Sequence, residues 1–416
     1  MVNFTNLALV ATTLLGFAVG APVERASGDV VEGSYIITLK SDLNADDLET
    51  HLTWVNDVHK RSIAKRDDSE AKGVEITYDG DYGFKGYAGS FDSEAIEEIK
   101  NNPEVELVEQ DKVWKLQYIK DEVTVTDTAK RALTTQTSST WGLGTVSHRS
   151  SGYTSYIYDT AAGQSTYAYI VDTGIRATHN EFEGRATAIW SAFSGDNADT
   201  NGHGTHVAGT IGGKTYGVAK LATLYGVKVF QGDESTTSII LSGYNWAVNH
   251  IVSNSRTTKS VINLSLGGDY SATFNNAVAS ASSSGVITVV AAGNEAQSAA
   301  NVSPASAPSA ITVGAITSSW AIASYSNYGT SLDIFAPGSS VLSSYYTSNS
   351  ATATLSGTSM ASPHIAGLVL YGISVEGVSG VSGVTSWLKA AATANKVTGT
   401  LRSSPNLIGN NNNSAQ

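Results

Sequence analysis

Ser359 stands where a side chain could act as a nucleophile. It lies in Gly357-Thr358-Ser359-Met360, between a polar, strand-like run and an apolar helix. A serine at such a turn has an exposed hydroxyl beside the unpaired N–H groups of a helix N-terminus. Acyl transfer needs that combination, because a nearby donor stabilises the developing oxyanion. A lone serine there would otherwise only cap the helix, so the prediction depends on partners elsewhere in the chain.

Two further stretches supply such partners. The apolar run from Tyr167 ends in a carboxylate, Asp172, and α/β sheets present functional groups at that end of a strand. His203 and His206 open a helix of small residues. Aspartate, histidine and serine in this chain order match subtilisin, in which the histidine takes the proton of the serine hydroxyl. The three stretches together predict a catalytic triad.

With these motifs, the chain resembles the secreted subtilases of the proteinase K type found in fungi. The resemblance covers residues 141–409 and, more weakly, residues 34–111. It implies that Asp172, His203 and Ser359 form the triad. The expected activity is hydrolysis of proteins with broad specificity through an acyl-enzyme.

The same resemblance assigns the groups around the triad. It implies that the side-chain amide of Asn294 completes an oxyanion hole with the Ser359 N–H, and that His206 is structural. The residues implied to bind the substrate backbone and the P1 side chain are small or apolar, namely Ser265, Leu266, Gly267, Ala291, Ala292 and Gly293. Small residues leave a roomy slot, which favours large apolar or aromatic P1 side chains.

The loop of residues 231–237 differs from the longer, glycine- and serine-rich loop of many such relatives. It contains two acids, Asp233 and Glu234. One interpretation is a solvated surface turn. The other is that these acids favour basic side chains in the outer substrate subsites, since unlike charges attract at short range.

Calcium is the one cofactor that the resemblance implies, in a structural role. The carbonyls of Pro308 and Ala310 and the carboxylate of Asp333 match a calcium site of proteinase K-type relatives, and hard oxygen ligands suit Ca²⁺. No catalytic cofactor is expected. Asn301 and Asn412 begin glycosylation sequons that we expect to be exposed.

The first 131 residues differ from the remainder in character. Residues 1–20 contain an apolar run and a small-residue cleavage pattern, which predict a secretory signal peptide. Residues 1–131 carry 14 Lys and Arg against 25 Asp and Glu, whereas the remainder carries 11 against 12. Such asymmetry suggests two units. We expect residues 21–131 to form a propeptide, removed after the dibasic pair Lys130-Arg131.

The pattern of elements predicts one fold for each unit. The propeptide reads as a βαββαβ, ferredoxin-like domain, which resembles the inhibitory propeptides of subtilases. Residues 132–416 alternate continuous apolar strands with amphipathic helices. That alternation predicts an α/β peptidase domain built on a doubly wound parallel sheet with helices on both faces.

Composition limits the kinds of molecule that this protein is expected to bind. The near-neutral peptidase domain argues against binding nucleic acid, and no later segment has the length and apolar character of a membrane span. We expect an extracellular monomer whose partners are protein and peptide substrates and its own propeptide. A catalytically silent binding protein with this fold is one alternative. A kexin-like protease is another, disfavoured because the pocket sequence around residues 265–268 lacks acids.

Overall fold

A computed structural model describes residues 29–64, 71–80, 82–116, 118–121 and 134–415. The predicted signal peptide and the predicted maturation site at Lys130-Arg131 lie outside these residues. The two units predicted from the sequence are both described for most of their length, and they pack against each other.

The N-terminal unit has the predicted βαββαβ order. Its elements are β1 Val30–Leu39, α1 Ala45–Ile63, β2 Gly73–Asp79, β3 Lys85–Ser90, α2 Ser93–Lys100 and β4 Val105–Lys115. The strands pair in the order β4-β1-β3-β2, and all of these pairs are antiparallel. Asn44 begins α1 with a capping box, since its side chain accepts from the N–H of Asp47 while Asp47 accepts from the Asn44 N–H.

The larger unit contains the other described α-helices and, apart from β5, the other described strands. Its helices are α3 Trp141–Thr145, α4 His203–Gly212, α5 Thr237–Ser253, α6 Ala272–Ser283, α7 Thr358–Val375 and α8 Gly380–Ala391. The remaining strands, of which only β5 precedes this unit, are β5 Ile119–Asp121, β6 Thr134–Gln136, β7 Tyr156–Tyr158, β8 Tyr167–Asp172, β9 Ala186–Ser191, β10 Thr223–Lys228, β11 Glu234–Thr236, β12 Ser260–Leu264, β13 Gly268–Asp269, β14 Ile287–Ala291, β15 Val302–Ser303, β16 Ile311–Ile316, β17 Ile334–Pro337, β18 Val341–Ser344, β19 Thr352–Ser356, β20 Thr393–Ala394 and β21 Leu407–Ile408.

Nine strands form the central sheet, in the order β20-β21-β17-β16-β14-β12-β8-β10-β9. Neighbours from β21 to β9 are parallel, and the short β20 is antiparallel to β21. From β8, the chain first adds β9 and β10 on one side and then continues with β12 on the other. β8 therefore lies at the topological switch point, where open α/β sheets place their sites.

Both faces of this sheet are covered, as the continuous apolar strands predict. Along β8, Ala168 and Ile170 pack into one buried cluster with α4 and α7, whereas Tyr169 and Val171 pack into a second cluster with α5 and α6. Successive strand side chains point to opposite faces, so a strand buried on both sides must be apolar throughout. The predicted doubly wound architecture is confirmed.

The N-terminal unit lies against the starts of α5 and α6. The carboxylate of Glu109 accepts hydrogen bonds from the N–H groups of Ala272 at 3.0 Å and Thr273 at 3.1 Å, in the first turn of α6. The carboxylate of Asp111 accepts from the Ser238 N–H at 3.0 Å, in the first turn of α5. Helix N-termini attract anions, so these two acids fasten one unit to the other.

Among the described residues, no single helix has the length and apolar character needed to cross a membrane. Only α7 and α8 counted together reach those limits, and the two are bent by 106° relative to each other.

Two glycines inside helices test how tightly α7 is packed. A Cβ at Gly367 in α7 would lie 2.6 Å from Val218 Cβ, whereas a Cβ at Gly383 in α8 would meet no neighbouring described group within 4 Å. Alanine gains roughly 0.5–1 kcal/mol over glycine in a helix, and overpacking costs about 1–3 kcal/mol. We expect Gly383→Ala to raise the free energy of unfolding in urea and Gly367→Ala to lower it. Shifts of the same sign would contradict this packing.

Candidate active site

Asp172 and His203 form a buried pair at the centre of the site. Asp172 ends β8 and His203 begins α4, and both side chains are completely buried. Nδ1 of His203 lies 2.8 Å from Oδ1 and 2.9 Å from Oδ2 of Asp172. A carboxylate on Nδ1 holds the proton there and leaves Nε2 as the basic nitrogen. Within the described part of the chain, Nε2 has no hydrogen-bond partner.

A second carboxylate, Asp199, connects the end of β8, which carries Asp172, to the start of α4, which carries His203. It accepts hydrogen bonds from the N–H groups of Gly202 at 2.8 Å and Thr205 at 3.0 Å, at the start of α4. It also accepts a hydrogen bond from the Thr173 hydroxyl at 2.9 Å. That hydroxyl accepts a hydrogen bond from the N–H of Gly204 at 2.9 Å. Asp199 was not predicted from the sequence, because it lies three residues before the N-cap Gly202, outside the ordinary capping position.

The approach of α4 to β8 requires a glycine. A Cβ on Gly204 would lie 2.1 Å from the carbonyl oxygen of Gly174, closer than real contacts allow. Any larger residue would push the helix away from the strand. The separation between His203 and Asp172 therefore depends on this glycine.

Ser359 lies in the first turn of α7, as the sequence predicts, and its residue is almost completely buried. Its hydroxyl donates a hydrogen bond to the carbonyl oxygen of Ser265 at 3.0 Å. Since Nε2 of His203 has no partner among the described groups, the structure does not join the side chains of Ser359 and His203 by a hydrogen bond. A hydrogen bond from the Ser359 hydroxyl to Nε2 of His203 would require the Ser359 side chain to rotate away from Ser265.

Asn294 is held next to Ser359 by its amide oxygen. Oδ1 accepts hydrogen bonds from the Thr358 N–H at 2.8 Å and the Thr358 hydroxyl at 3.0 Å, and the Gly293 N–H donates to that hydroxyl at 3.1 Å. These bonds fix the amide oxygen, and Asn294 and Ser359 line the same pocket. Thr358 is a second residue that sequence reasoning missed.

A pocket opens beside Ser359. It is lined by Lys115, Leu266, Gly267, Ala291, Gly293, Asn294, Glu295, Thr358 and Ser359. Four of the predicted pocket residues are in this set, whereas Ser265 and Ala292 are completely buried outside it. Glu295 was not predicted, and its carboxylate contacts the amide of Asn327 at 2.6 Å. Its position next to Asn294 in the chain was the available signal.

The end of the N-terminal unit crosses the site. β4 pairs with β11, with Lys115 opposite Glu234, and the Leu116 N–H donates to the Asp233 carbonyl at 2.9 Å. Beyond Ser359, β5 pairs with β19. Between them, the ring of Tyr118 lies 4.9 Å from the ring of His203. The described parts of this tail therefore lie against the pocket at Lys115 and against His203 at Tyr118.

The two acids of the loop at 231–237 have different surroundings. Glu234 Oε1 lies 3.1 Å from Nζ of Lys115, and both side chains are more than half exposed. The carboxylate of Asp233 instead accepts a hydrogen bond from Nδ2 of Asn201 at 2.6 Å. Glu234 is thus the acid that contacts a basic residue in the cleft.

Asp333 already carries a cationic partner. Lys389 Nζ lies 2.8 Å from its Oδ1, and the Thr312 N–H donates to its Oδ2 at 3.0 Å. The carboxylate and the carbonyls of Pro308 and Ala310 are oxygen ligands of the kind that calcium prefers, so they fit the ion in type. An ion bound to Oδ1 would take the place of Lys389. No cluster of three or more His, Cys, Asp or Glu that could hold a metal exists among the described residues.

Three further predicted residues can be placed. Nε2 of His206 contacts the carbonyl oxygens of Val341 and Ala353 at 2.9 and 3.1 Å. Burial lowers the pKa of His206 to about 3, which keeps its ring neutral between these carbonyls. Asn301 and Asn412, the predicted glycosylation positions, are both exposed.

Comparison with known proteins finds related sequences along nearly the whole chain. Residues 163–404 match the subtilase family, and residues 34–117 match peptidase inhibitor I9. The chain is 52% identical over 415 residues to an alkaline proteinase of Hapsidospora chrysogena, with all of both chains covered. It is 44% identical over 425 residues to a cuticle-degrading serine protease of Arthrobotrys oligospora, covering 98% of this chain and 99% of the other.

Solved structures include a similar fold. A cold-adapted subtilisin-like serine proteinase matches with a TM-score of 0.59 and 40% sequence identity. The match covers 65% of this chain and 97% of that one.

The bonds between Thr358 and Asn294 generate a prediction about the reactivity of Ser359. Thr358→Val removes the hydroxyl that holds the Asn294 amide and leaves the backbone N–H in place, whereas Thr358→Ser keeps both donors. One such hydrogen bond contributes about 0.5–1.5 kcal/mol, so we expect roughly a 10-fold slower reaction of Ser359 with a fluorophosphonate in Thr358→Val. Thr358→Ser should react at nearly the parental rate. Equal rates for both variants would show that Thr358 does not orient Asn294.

Proposed function

We propose that this chain, which belongs to the subtilase family and is a serine endopeptidase, is secreted and hydrolyses proteins with broad specificity through Asp172, His203 and Ser359. The observation that carries the proposal is the buried Asp172–His203 pair beside a pocket lined by Ser359 and Asn294. These are the base, the nucleophile and an oxyanion donor of acyl transfer.

Each group has one role in the proposed reaction. Ser359 Oγ attacks the scissile carbonyl carbon while its proton passes to Nε2 of His203. The Ser359 N–H and the Asn294 amide stabilise the negative oxygen of the tetrahedral intermediate. His203 then gives the proton to the leaving amine, and water releases the acyl group by the same steps. Asp172 stays ionised and stabilises the imidazolium.

The inhibitor I9 unit is proposed to block its own peptidase domain. Its tail pairs with β11 up to Leu116 and with β19 from Ile119, and Tyr118 covers His203 between them. A substrate lying across Ser359 would pair in the same way. Under this proposal the first cut, made by Ser359, falls between Leu116 and Tyr118, and trimming after Arg131 is a separate step. Mass spectrometry should find that first cut in the parental chain and not in Ser359→Ala.

The pocket beside Ser359 is proposed to take large apolar or aromatic P1 side chains. Leu266, Gly267 and Ala291 give it small or apolar walls, which supports that preference. Glu295 adds one carboxylate to the lining, and the amide of Asn327 occupies it at 2.6 Å. Digestion of a peptide library tests the preference, and cleavage mainly after basic residues would contradict it.

Export through the predicted signal peptide, residues 1–20, is part of the same proposal. So are glycans at Asn301 and Asn412, whose exposure supports them. Protein recovered from culture medium should begin beyond residue 20 and lose mass on treatment with an N-glycosidase. Retention in the cells would contradict export, and an unchanged mass would contradict glycosylation.

The proposed chemistry is tested with two variants, of which Ser359→Ala is matured by an added protease that cuts after Arg131. Ser359→Ala should lose casein hydrolysis and fluorophosphonate labelling completely. Asn294→Leu should keep its KM and lose kcat by about 10²–10³-fold, the effect of removing the equivalent donor in subtilisin. Labelling and hydrolysis that persist in Ser359→Ala would place the nucleophile elsewhere.

The Glu234–Lys115 contact predicts how the outer subsites choose substrates. Counting back from the proposed first cut between Leu116 and Tyr118, Lys115 occupies the second or third position on the acyl side. An exposed ion pair contributes about 0.2–1 kcal/mol, so a lysine there should raise kcat/KM by up to about 5-fold over alanine. Glu234→Gln should abolish this ratio, and Asp233→Asn, the matched control, should leave it because Asn201 occupies that carboxylate. An unchanged ratio in Glu234→Gln at low salt would contradict the contact.

The Lys389–Asp333 pair generates a prediction about calcium. We propose that Ca²⁺ competes with Lys389 for the carboxylate of Asp333. The bound ion would also contact the carbonyl oxygens of Pro308 and Ala310 and so connect the two segments. Lys389→Met removes the competitor, so the rise in Tm between EDTA and millimolar calcium should be larger than in the parental chain. The expected scale is about 2–4 °C for each kcal/mol of added binding energy. Lys396→Met, an exposed lysine, is the control.

Equal calcium effects in the parental chain and in Lys389→Met would show that the lysine does not compete. An absence of any calcium effect in all three proteins would contradict the site itself.

A further inference from the structure

Pro363 creates an unusual requirement in the helix that carries the nucleophile. In an α-helix, each N–H donates to the carbonyl four residues earlier, so the Ser359 carbonyl would pair with residue 363. Proline has no N–H, and Pro363 lies inside α7. The residue on which the chemistry depends therefore lacks its ordinary helical donor. Both residues are buried, where an unpaired carbonyl is costly.

Ser265 supplies the missing donor from outside the helix. Its hydroxyl donates to the carbonyl oxygen of Ser359 at 2.8 Å, and its residue is completely buried. In return, the hydroxyl of Ser359 donates to the carbonyl oxygen of Ser265 at 3.0 Å. The two serines therefore exchange one hydrogen bond in each direction.

Two more buried side chains fix the direction of this bond. Nδ2 of Asn263 donates to Oγ of Ser265 at 2.9 Å, and Oγ of Ser362 donates to Oδ1 of Asn263 at 2.8 Å. Because Ser265 accepts from Asn263, its single proton is available for the Ser359 carbonyl. The hydrogen bonds run from Ser362 in α7 through β12 and back to Ser359 in α7. The start of the helix is thus tied to β12 and the residue after it by hydrogen bonds that each involve a side chain.

We propose that Ser265 is a positioning residue for the nucleophile, with a hydroxyl that replaces the N–H absent from Pro363. The Ser265 hydroxyl holds the backbone of this helical turn. It therefore fixes the Ser359 N–H, a proposed oxyanion donor, and the direction in which the Ser359 side chain leaves the backbone. The role rests on the proposed function and differs from the substrate contact predicted for Ser265 from sequence, which requires only its backbone. Asn263 and Ser362 act through Ser265.

A double-mutant cycle between Ser265 and Pro363 tests the role in the matured enzyme. Ser265→Ala should lower kcat about 10-fold with little change in KM, the loss of one buried hydrogen bond of about 1.4 kcal/mol. Pro363→Ala restores a backbone N–H that can donate to the Ser359 carbonyl. In that background, Ser265→Ala should cost less than about 2-fold in kcat. Losses of equal size in both backgrounds would overturn the proposal.

A second cycle does not depend on Pro363→Ala folding. As a single variant, Ser362→Ala should lower kcat. In the Ser265→Ala background it should have no further effect on kcat, because both side chains act on the Ser359 carbonyl. Additive losses would overturn the proposal. Ser147→Ala removes another completely buried hydroxyl, which donates to the Leu143 carbonyl at 3.1 Å, and should lower stability without changing kcat. A comparable kcat loss there would reduce the Ser265 effect to general destabilisation and overturn its positioning role.

Fluorophosphonate titration counts active sites in every variant, so kcat refers to folded enzyme only. A parental chain that neither hydrolyses casein nor reacts with the fluorophosphonate would contradict the proposed function itself. A parental chain that does both, with uncoupled Ser265 and Pro363 variants, would contradict the positioning role alone.

Discussion

The burial of the Asp172–His203 pair is the constraint on which the rest of the site depends. A buried carboxylate without partners is strongly unfavourable, so Asp172 must be surrounded by donors. His203 and the Thr173 N–H, which lies 2.7 Å from Oδ1, supply them. That arrangement requires α4 to contact β8 at Gly204 and requires Asp199 to bind the start of the helix. The fold determines where this pair lies, because Asp172 ends β8 and β8 is the strand at which the strand order of the sheet reverses.

The same geometry explains how a unit of separate fold can cover the site. Two acids of β4 fix its direction: Glu109 binds the start of α6, and Asp111 binds the start of α5. β4 then continues along β11 to Leu116, and β5 runs along β19. Exposed strand edges can pair with an extended chain, so under the proposed function the tail and a substrate would use one surface. The match of residues 34–117 to peptidase inhibitor I9 agrees with this arrangement.

Sequence reasoning succeeded where local pattern determines structure. Continuous apolar runs predicted the parallel strands, and the βαββαβ order of the propeptide followed from turn residues and periodicity. The buried Asp172–His203 contact was also expected from motifs. The Lys389–Asp333 pair was not foreseen, because its members are 56 positions apart and no local pattern links them. β11 could not be predicted either, because its three residues form a strand only by pairing with β4. Contacts that depend on docking of separate segments need the folded structure.

The central claim is that Asp172 holds the proton of His203 on Nδ1 and keeps Nε2 as the basic nitrogen. Nitrogen-15 NMR of labelled histidine measures this directly in the matured enzyme, at a pH where the ring is neutral, with the signal assigned through His203→Gln. The account predicts a protonated Nδ1 and an unprotonated Nε2, and a shift of the proton towards Nε2 in Asp172→Ala. A proton on Nε2 in the parental enzyme, or a tautomer that Asp172→Ala leaves unchanged, would contradict it.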